Sequence, residues 1–297
     1  MSFAVIRPVL LVLTLLLTSG FEAAAQGSHM RKHTVTEATS LTLVPATKML
    51  AKGRAVIKFS GRYRTITSNG IPTHRVGAFP NAGNPHKIKP QSHKFSVAYI
   101  PRKAFRTKKL GTDILMGVAV NGIPFDPMAA EFYLGNHKGW QYNALGGAIP
   151  LGLDANYAHV QPSGAYHYHG LPVGLMQELG WQAGRPSPLI GYAADGFPIF
   201  AMTVKVDGKV KRMRSSYRLK PGNRPGGSKP SGPHDGSFIN DYEYVRGAGD
   251  LDACNGVKVT TPDYPNGVYA YFLTRKFPVV PRCLVGKIGK GFKKARR

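Results

Sequence analysis

The chain has 297 residues and carries 40 Lys and Arg against 15 Asp and Glu, a formal net charge of +25. Its 42% apolar and 10% aromatic residues are too many for a disordered basic tail protein, and no collagen or heptad period runs through it. The 35 Gly and 23 Pro argue against a helical bundle, because both penalise helix interiors. What remains is a mainly β protein: a single large β-rich domain, sandwich or distorted barrel, with long loops and few short helices.

At the N-terminus, Arg7 precedes an apolar run from Val9 to Leu17 broken only by Thr14, and Ala23, Ala24 and Ala25 offer a small-residue cleavage site. Residues 1–25 therefore read as a signal peptide. The run falls short of the roughly 20 apolar residues a membrane span needs. The mature protein is thus expected to be secreted or periplasmic, with no membrane span. Residues 26–50 read as an N-terminal extension, 51–286 as the β-rich domain and 287–297 as a flexible basic tail.

Within the domain, strands are expected at Ala55 to Phe59, Lys94 to Ile100, Met116 to Val120, Tyr192 to Ala194, Ile199 to Val206 and Val268 to Leu273. Turn pairs separate them at Asn69-Gly70, Asn121-Gly122, Asp207-Gly208 and Asn266-Gly267, and Asp207-Gly208 is the strongest hairpin signal. One helix fits Leu171 to Leu179. Two cysteines, Cys254 and Cys283, lie in the exported part without CxxC spacing, so one disulfide is expected. Closing a loop of about 30 residues stabilises by roughly 3 kcal/mol in the chain-entropy model.

The most informative stretch is HVQPSGAYHYHG, from His159 to Gly170. In a strand, residues two apart share a face, so His167 and His169 point one way and Tyr166 and Tyr168 the other. Pro162, Ser163 and Gly164 suit a three-residue hairpin loop with Gly in its left-handed third position. That loop pairs Gln161 with Ala165 and sets His159 opposite His167. Three imidazoles then converge from two strands and can hold zinc or copper. A two-residue loop would pair His159 with Tyr166 and destroy the site.

The scarce carboxylates gather late in the chain, at Asp235, Asp241, Glu243, Asp250, Asp252 and Asp263. Asp195 or Asp241 could orient a ligating histidine, although an Asp before Gly more simply caps a turn. The chain has no GxSxG elbow, Walker A loop or HExxH pair.

The same stretch, with GYAADGFPIF, SNGIPTHRVGAF, NGIPFDP, DGSFINDYEYVRGAGDLDACNG and YPNGVYAYFLTRKFPVVPRC, resembles the YHYH-domain proteins from Ser68 to Cys283. The resemblance implies an exported bacterial-type protein that binds metal, and it carries that expectation onto His167 and His169 and more distantly onto His159. Position 270 is Ala where some relatives carry His, and Ala201 stands for an expected Gly. Three functions follow as expectations. The first is an exported copper- or zinc-binding protein using the His-x-His hairpin. The second is a metal-dependent hydrolase or oxidoreductase at the same site. The third is a basic module for anionic envelope polymers, motivated by the net charge and with no specific nucleic acid as partner.

Overall fold

The computed structural model describes residues 33–294. The signal-peptide segment, residues 1–25, lies outside them. In chain order the strands are β1 (Ala55–Ser60), β2 (Tyr63–Ser68), β3 (His93–Ala98), β4 (Lys103–Lys109), β5 (Gly117–Ala119), β6 (Pro124–Phe125), β7 (Ala158–Val160) and β8 (Tyr166–Tyr168). After the helix α1 (Val173–Glu178) come β9 (Leu189–Ala193), β10 (Pro198–Ala201), β11 (Thr203–Val206), β12 (Lys209–Arg212) and β13 (Tyr217–Leu219). The last four are β14 (Tyr242–Tyr244), β15 (Gly256–Thr261), β16 (Tyr264–Leu273) and β17 (Cys283–Gly286).

A mixed eight-stranded sheet, in the order β15-β16-β10-β9-β5-β6-β8-β7, forms the spine. The β10–β16 and β6–β8 pairs are parallel. Smaller sheets pair β1-β2-β3, β11-β12, β13-β14 and β17-β4, and the described residues form no closed barrel. The central strands β5 and β10 are buried at every position, which explains their continuous apolar or small runs. Around them pack Phe95, Phe125, Tyr166, Tyr168, Tyr271 and Phe292 in the largest core cluster. A second cluster, with Tyr142, Leu151, Leu153 and Phe238, forms under long loops beside the β7 edge.

The single run expected from Ile199 to Val206 is two strands, because Met202 adopts a φ of 60° and breaks the ladder between β10 and β11. Asp207 and Gly208 make the expected hairpin turn, with φ values of 48° and 78°. The helix is shorter than expected, six residues, and buries Leu175 and Met176.

Both ends of the domain depart from the sequence expectation. The basic tail is not a flexible appendage over its described part. Phe292 is fully buried against Phe95, at 4.8 Å between ring centroids. Lys290 pairs with Ser96, and the Leu115 amide donates to the Phe292 carbonyl. One aromatic residue among the lysines supplies enough apolar burial to dock the segment. The N-terminal extension also joins the fold. Val44 bridges Asp154, Lys48 bridges Val76, and Leu41 and Leu43 pack on the second cluster.

Cys254 and Cys283 form the expected disulfide, with Cα atoms 5.0 Å apart. It ties the loop before β15 to β17. Replacing both cysteines by serine should lower stability by about 3 kcal/mol and the melting temperature by about 5–10 °C, read by calorimetry. An unchanged melt would mean that the crosslink constrains neither state.

Candidate metal centre

The β7–β8 hairpin closes through a three-residue loop. The Gln161 amide donates to the Ala165 carbonyl at 2.9 Å, and the Gly164 amide donates back to Gln161 at 2.8 Å. Gly164 has a φ of +87°, and a Cβ there would lie 2.5 Å from the Lys89 Cβ. Only glycine fits both constraints. The resulting register pairs His159 with His167 and Val160 with Tyr166.

Three imidazoles consequently meet. The Nε2 atoms of His167 and His169 are 3.0 Å apart, and those of His169 and His159 are 3.1 Å apart. All three rings offer a ligand atom within 4.8 Å of the others. A tetrahedral ion with bonds of roughly 2.0–2.1 Å spaces its nitrogens about 3.3 Å apart, within a few tenths of an ångström of the two separations from His169. His159 Nδ1 sits 2.9 Å from the Leu151 carbonyl oxygen and His167 Nδ1 sits 3.3 Å from that of Ala165. Those carbonyls hold the protons on Nδ1 and leave both Nε2 lone pairs facing inward. His169 Nδ1 has no hydrogen-bond partner among the described residues. In the metal-free protein His169 is therefore the ring that can place its proton on Nε2 and bridge the other two.

Electrostatics oppose protonation of two of the three rings. Burial, followed by the neighbouring His167, pushes His159 down to about 3. Burial, followed by His167, His159, Lys294 and Arg282, holds His169 well below the ordinary imidazole range. Neutral imidazole is the metal-binding form, so the site is ready for a cation at neutral pH.

The other face of the hairpin explains the tyrosines. Tyr166 and Tyr168 are fully buried in the main core. Tyr166 Oη donates to Asp154 Oδ2 at 2.7 Å. His74 Nδ1 lies 2.8 Å from the Arg75 carbonyl, which leaves Nε2 to accept the Tyr168 hydroxyl at 2.6 Å. Asn121 Nδ2 donates to the same hydroxyl at 3.0 Å. Each tyrosine thus plugs the hairpin into the core, and the alternation leaves the histidines on the opposite side.

His159 and His169 line a cleft of about 360 Å³ together with Glu131, His137, Gln161 and Lys294. Lys294 is ion-paired to the buried Asp126. The cleft gives an ion at the three nitrogens an open side.

Asp195 and Asp241 are engaged elsewhere. Asp195 Oδ2 accepts the Tyr271 hydroxyl at 2.6 Å and the Gly286 amide at 2.8 Å. Asp241 accepts Arg224 Nε and Nη2, each at 2.8 Å, and caps the Gly236 and Phe238 amides. Backbone carbonyls, not carboxylates, orient the ligating rings. Ala270 packs with Phe200 and Phe272 in a third apolar cluster and takes no part in the histidine group. Sequence spacing gave no role to Leu151, His74, Asp154, Glu131 or Lys294. Only the two tyrosines' shared strand face hinted that something polar must receive them.

A family model described as YHYH protein matches residues 94–286. The chain belongs to this family. No curated protein and no solved structure matches it. In this chain the tetrapeptide Tyr166-His167-Tyr168-His169 alternates core-anchoring tyrosines with two histidines of the cluster.

Two outcomes follow. Tyr168→Phe strips a partner from both His74 and Asn121 and should cost about 1–3 kcal/mol, read by denaturant unfolding. An unchanged midpoint would show that the hydroxyl is not what seats the strand. In metal-free protein the folded state refuses the proton that His159 accepts when unfolded. Stability is then lost as pH falls from about 6.5 toward the depressed folded value. His159→Gln should remove about 1.5 kcal/mol of the loss between about pH 6.5 and pH 5. Parallel pH profiles for wild type and variant would show that His159 does not resist protonation.

Proposed function

We propose that this protein is an exported metal-binding protein that holds copper or zinc through His159, His167 and His169. One observation carries the proposal: the Nε2 of His169 lies 3.0 and 3.1 Å from those of His167 and His159, and the three rings offer ligand atoms within 4.8 Å of one another. Imidazole suits both metals, and a three-histidine set leaves a coordination position for water or substrate. Export is supported by the N-terminal sequence and by the disulfide, which persists in oxidising compartments. Among the described residues no helix is long and apolar enough to cross a membrane.

Untagged protein should bind one equivalent of zinc or copper. At a free metal concentration about 100 times Kd, the gain is about 2.7 kcal/mol. That corresponds to a rise of about 5–10 °C in melting temperature. His167→Ala and His169→Ala should each abolish the shift. Protein that takes up neither metal, by elemental analysis and by thermal shift, would overturn the proposal.

A second reading, a metal-dependent hydrolase or oxidoreductase, is favoured by the cleft. It brings Glu131 and Lys294 to the same space as two of the ligands. A bound ion there would supply Lewis acidity or an activated water. The chain's own groups would position a substrate: Lys294 marks the cationic side of the cleft and Glu131 the acidic side. Turnover of ester, phosphoester or redox substrates that is lost in His167→Ala separates catalysis from storage or transport of the ion.

A further inference from the structure

The most exposed large apolar side chain among the described residues lies far along the chain from the histidines. Phe105 is 98% exposed. It sits on β4, where every residue from Lys103 to Lys109 is exposed. The pairing of β4 with β17 explains its prominence. Lys103 faces Gly286 and Lys108 faces Leu284, so more chain lies between the pairs on β4 than on β17. Residues Ala104 to Thr107 exceed what β17 can pair and form a bulge, with Phe105 upon it.

Cations surround this apex. Lys103, Arg106, Lys108 and Lys109 share the strand, and Arg102 precedes it. None of the five takes part in an ion pair among the described residues. No Asp or Glu occurs from Ala38 to Thr112, so the local sequence supplies no counter-charge. The turn that leads into β4 adds Ile100, 74% exposed, and Tyr99, whose ring packs edge-on to exposed Phe59 at 5.3 Å between centroids.

We propose that the β4 bulge is a docking element for an anionic lipid surface, with Phe105 entering the headgroup–acyl boundary and the surrounding Lys and Arg contacting lipid phosphates. Two features together favour lipid. Cations outside any ion pair answer any polyanion, and a protruding aromatic tip beside them is buried by a lipid boundary that deforms around it. A nucleic acid duplex, whose bases are stacked inside, satisfies the charge and leaves the phenyl ring in water. The proposal is independent of the metal site.

The test places a reporter at the apex of the full chain. Phe105→Trp is titrated with vesicles of phosphatidylcholine alone and of phosphatidylcholine with about a third phosphatidylglycerol. Emission is read as the difference from wild type, whose native Trp140 and Trp181 give the background. The added indole should shift to shorter wavelength with the anionic vesicles only, and added salt should reverse the shift. In co-sedimentation, Phe105→Ala should weaken anionic-vesicle binding about tenfold, and Arg106→Glu with Lys108→Glu should abolish it. Because these side chains are exposed, each variant should keep the wild-type melting temperature. No spectral shift, or an equal shift with zwitterionic vesicles, would overturn the proposal. So would heparin or duplex DNA binding that matches vesicle binding and is unchanged in Phe105→Ala, which would assign the patch to a polyanion.

Discussion

The register of one short hairpin governs both faces of the candidate centre. Because side chains alternate along a strand, the three-residue loop at 162–164 decides in one step which residues enter the core and which line the cleft. Two tyrosines go inward to Asp154 and His74, and three histidines turn outward to each other. A slip of one residue would bury the histidines among apolar side chains and strand the tyrosine hydroxyls. The Lys89 segment braces the loop from outside: its amide donates to the Gly164 carbonyl at 2.9 Å, and its Cβ occupies the space a larger residue would need.

The electrostatic plan is an economy of acids. With 15 carboxylates against 40 Lys and Arg, several of the acids are committed to internal work. Asp154 receives Tyr166 and the Gly77 amide, Asp241 and Asp235 hold the buried Arg224, and Asp250 takes Lys211 and Arg214. A buried charge is tolerable only when paired and hydrogen-bonded, and these pairings meet that need. The surplus cations are left to the surface, where the β4 bulge concentrates several around an aromatic tip. Within this field burial and neighbouring positive charge both oppose imidazolium at His159 and His169.

The cleft is assembled from distant parts of the chain. Glu131 and His137 come from the long loops after β6, His159 and His169 from the hairpin, and Lys294 from the C-terminal segment. Asp126, which holds Lys294, follows β6 directly, and its amide donates to the Tyr168 carbonyl at 2.9 Å. The C-terminal segment is thereby tied to the strand that carries His167. Phe292 makes this attachment durable by filling a site in the main core.

The local chemistry of this protein was legible in its sequence. Several strand positions, the Asp207-Gly208 turn, the disulfide and the pairing of His159 with His167 follow from simple rules: period-2 alternation, turn stereochemistry and cysteine count. The first two act over a few residues and the third is a count, so they survive without knowledge of the fold. Long-range packing decided the rest. Asp195 and Asp241 look like partners for histidine because acids are scarce, yet Tyr271 and Arg224 claim them, and neither choice leaves a periodic trace. A run of Lys and Arg reads as a loose tail until one phenylalanine finds a core site. The Leu151 carbonyl that orients His159 is invisible to any residue-type argument, because every residue carries a carbonyl and only tertiary structure decides where it points.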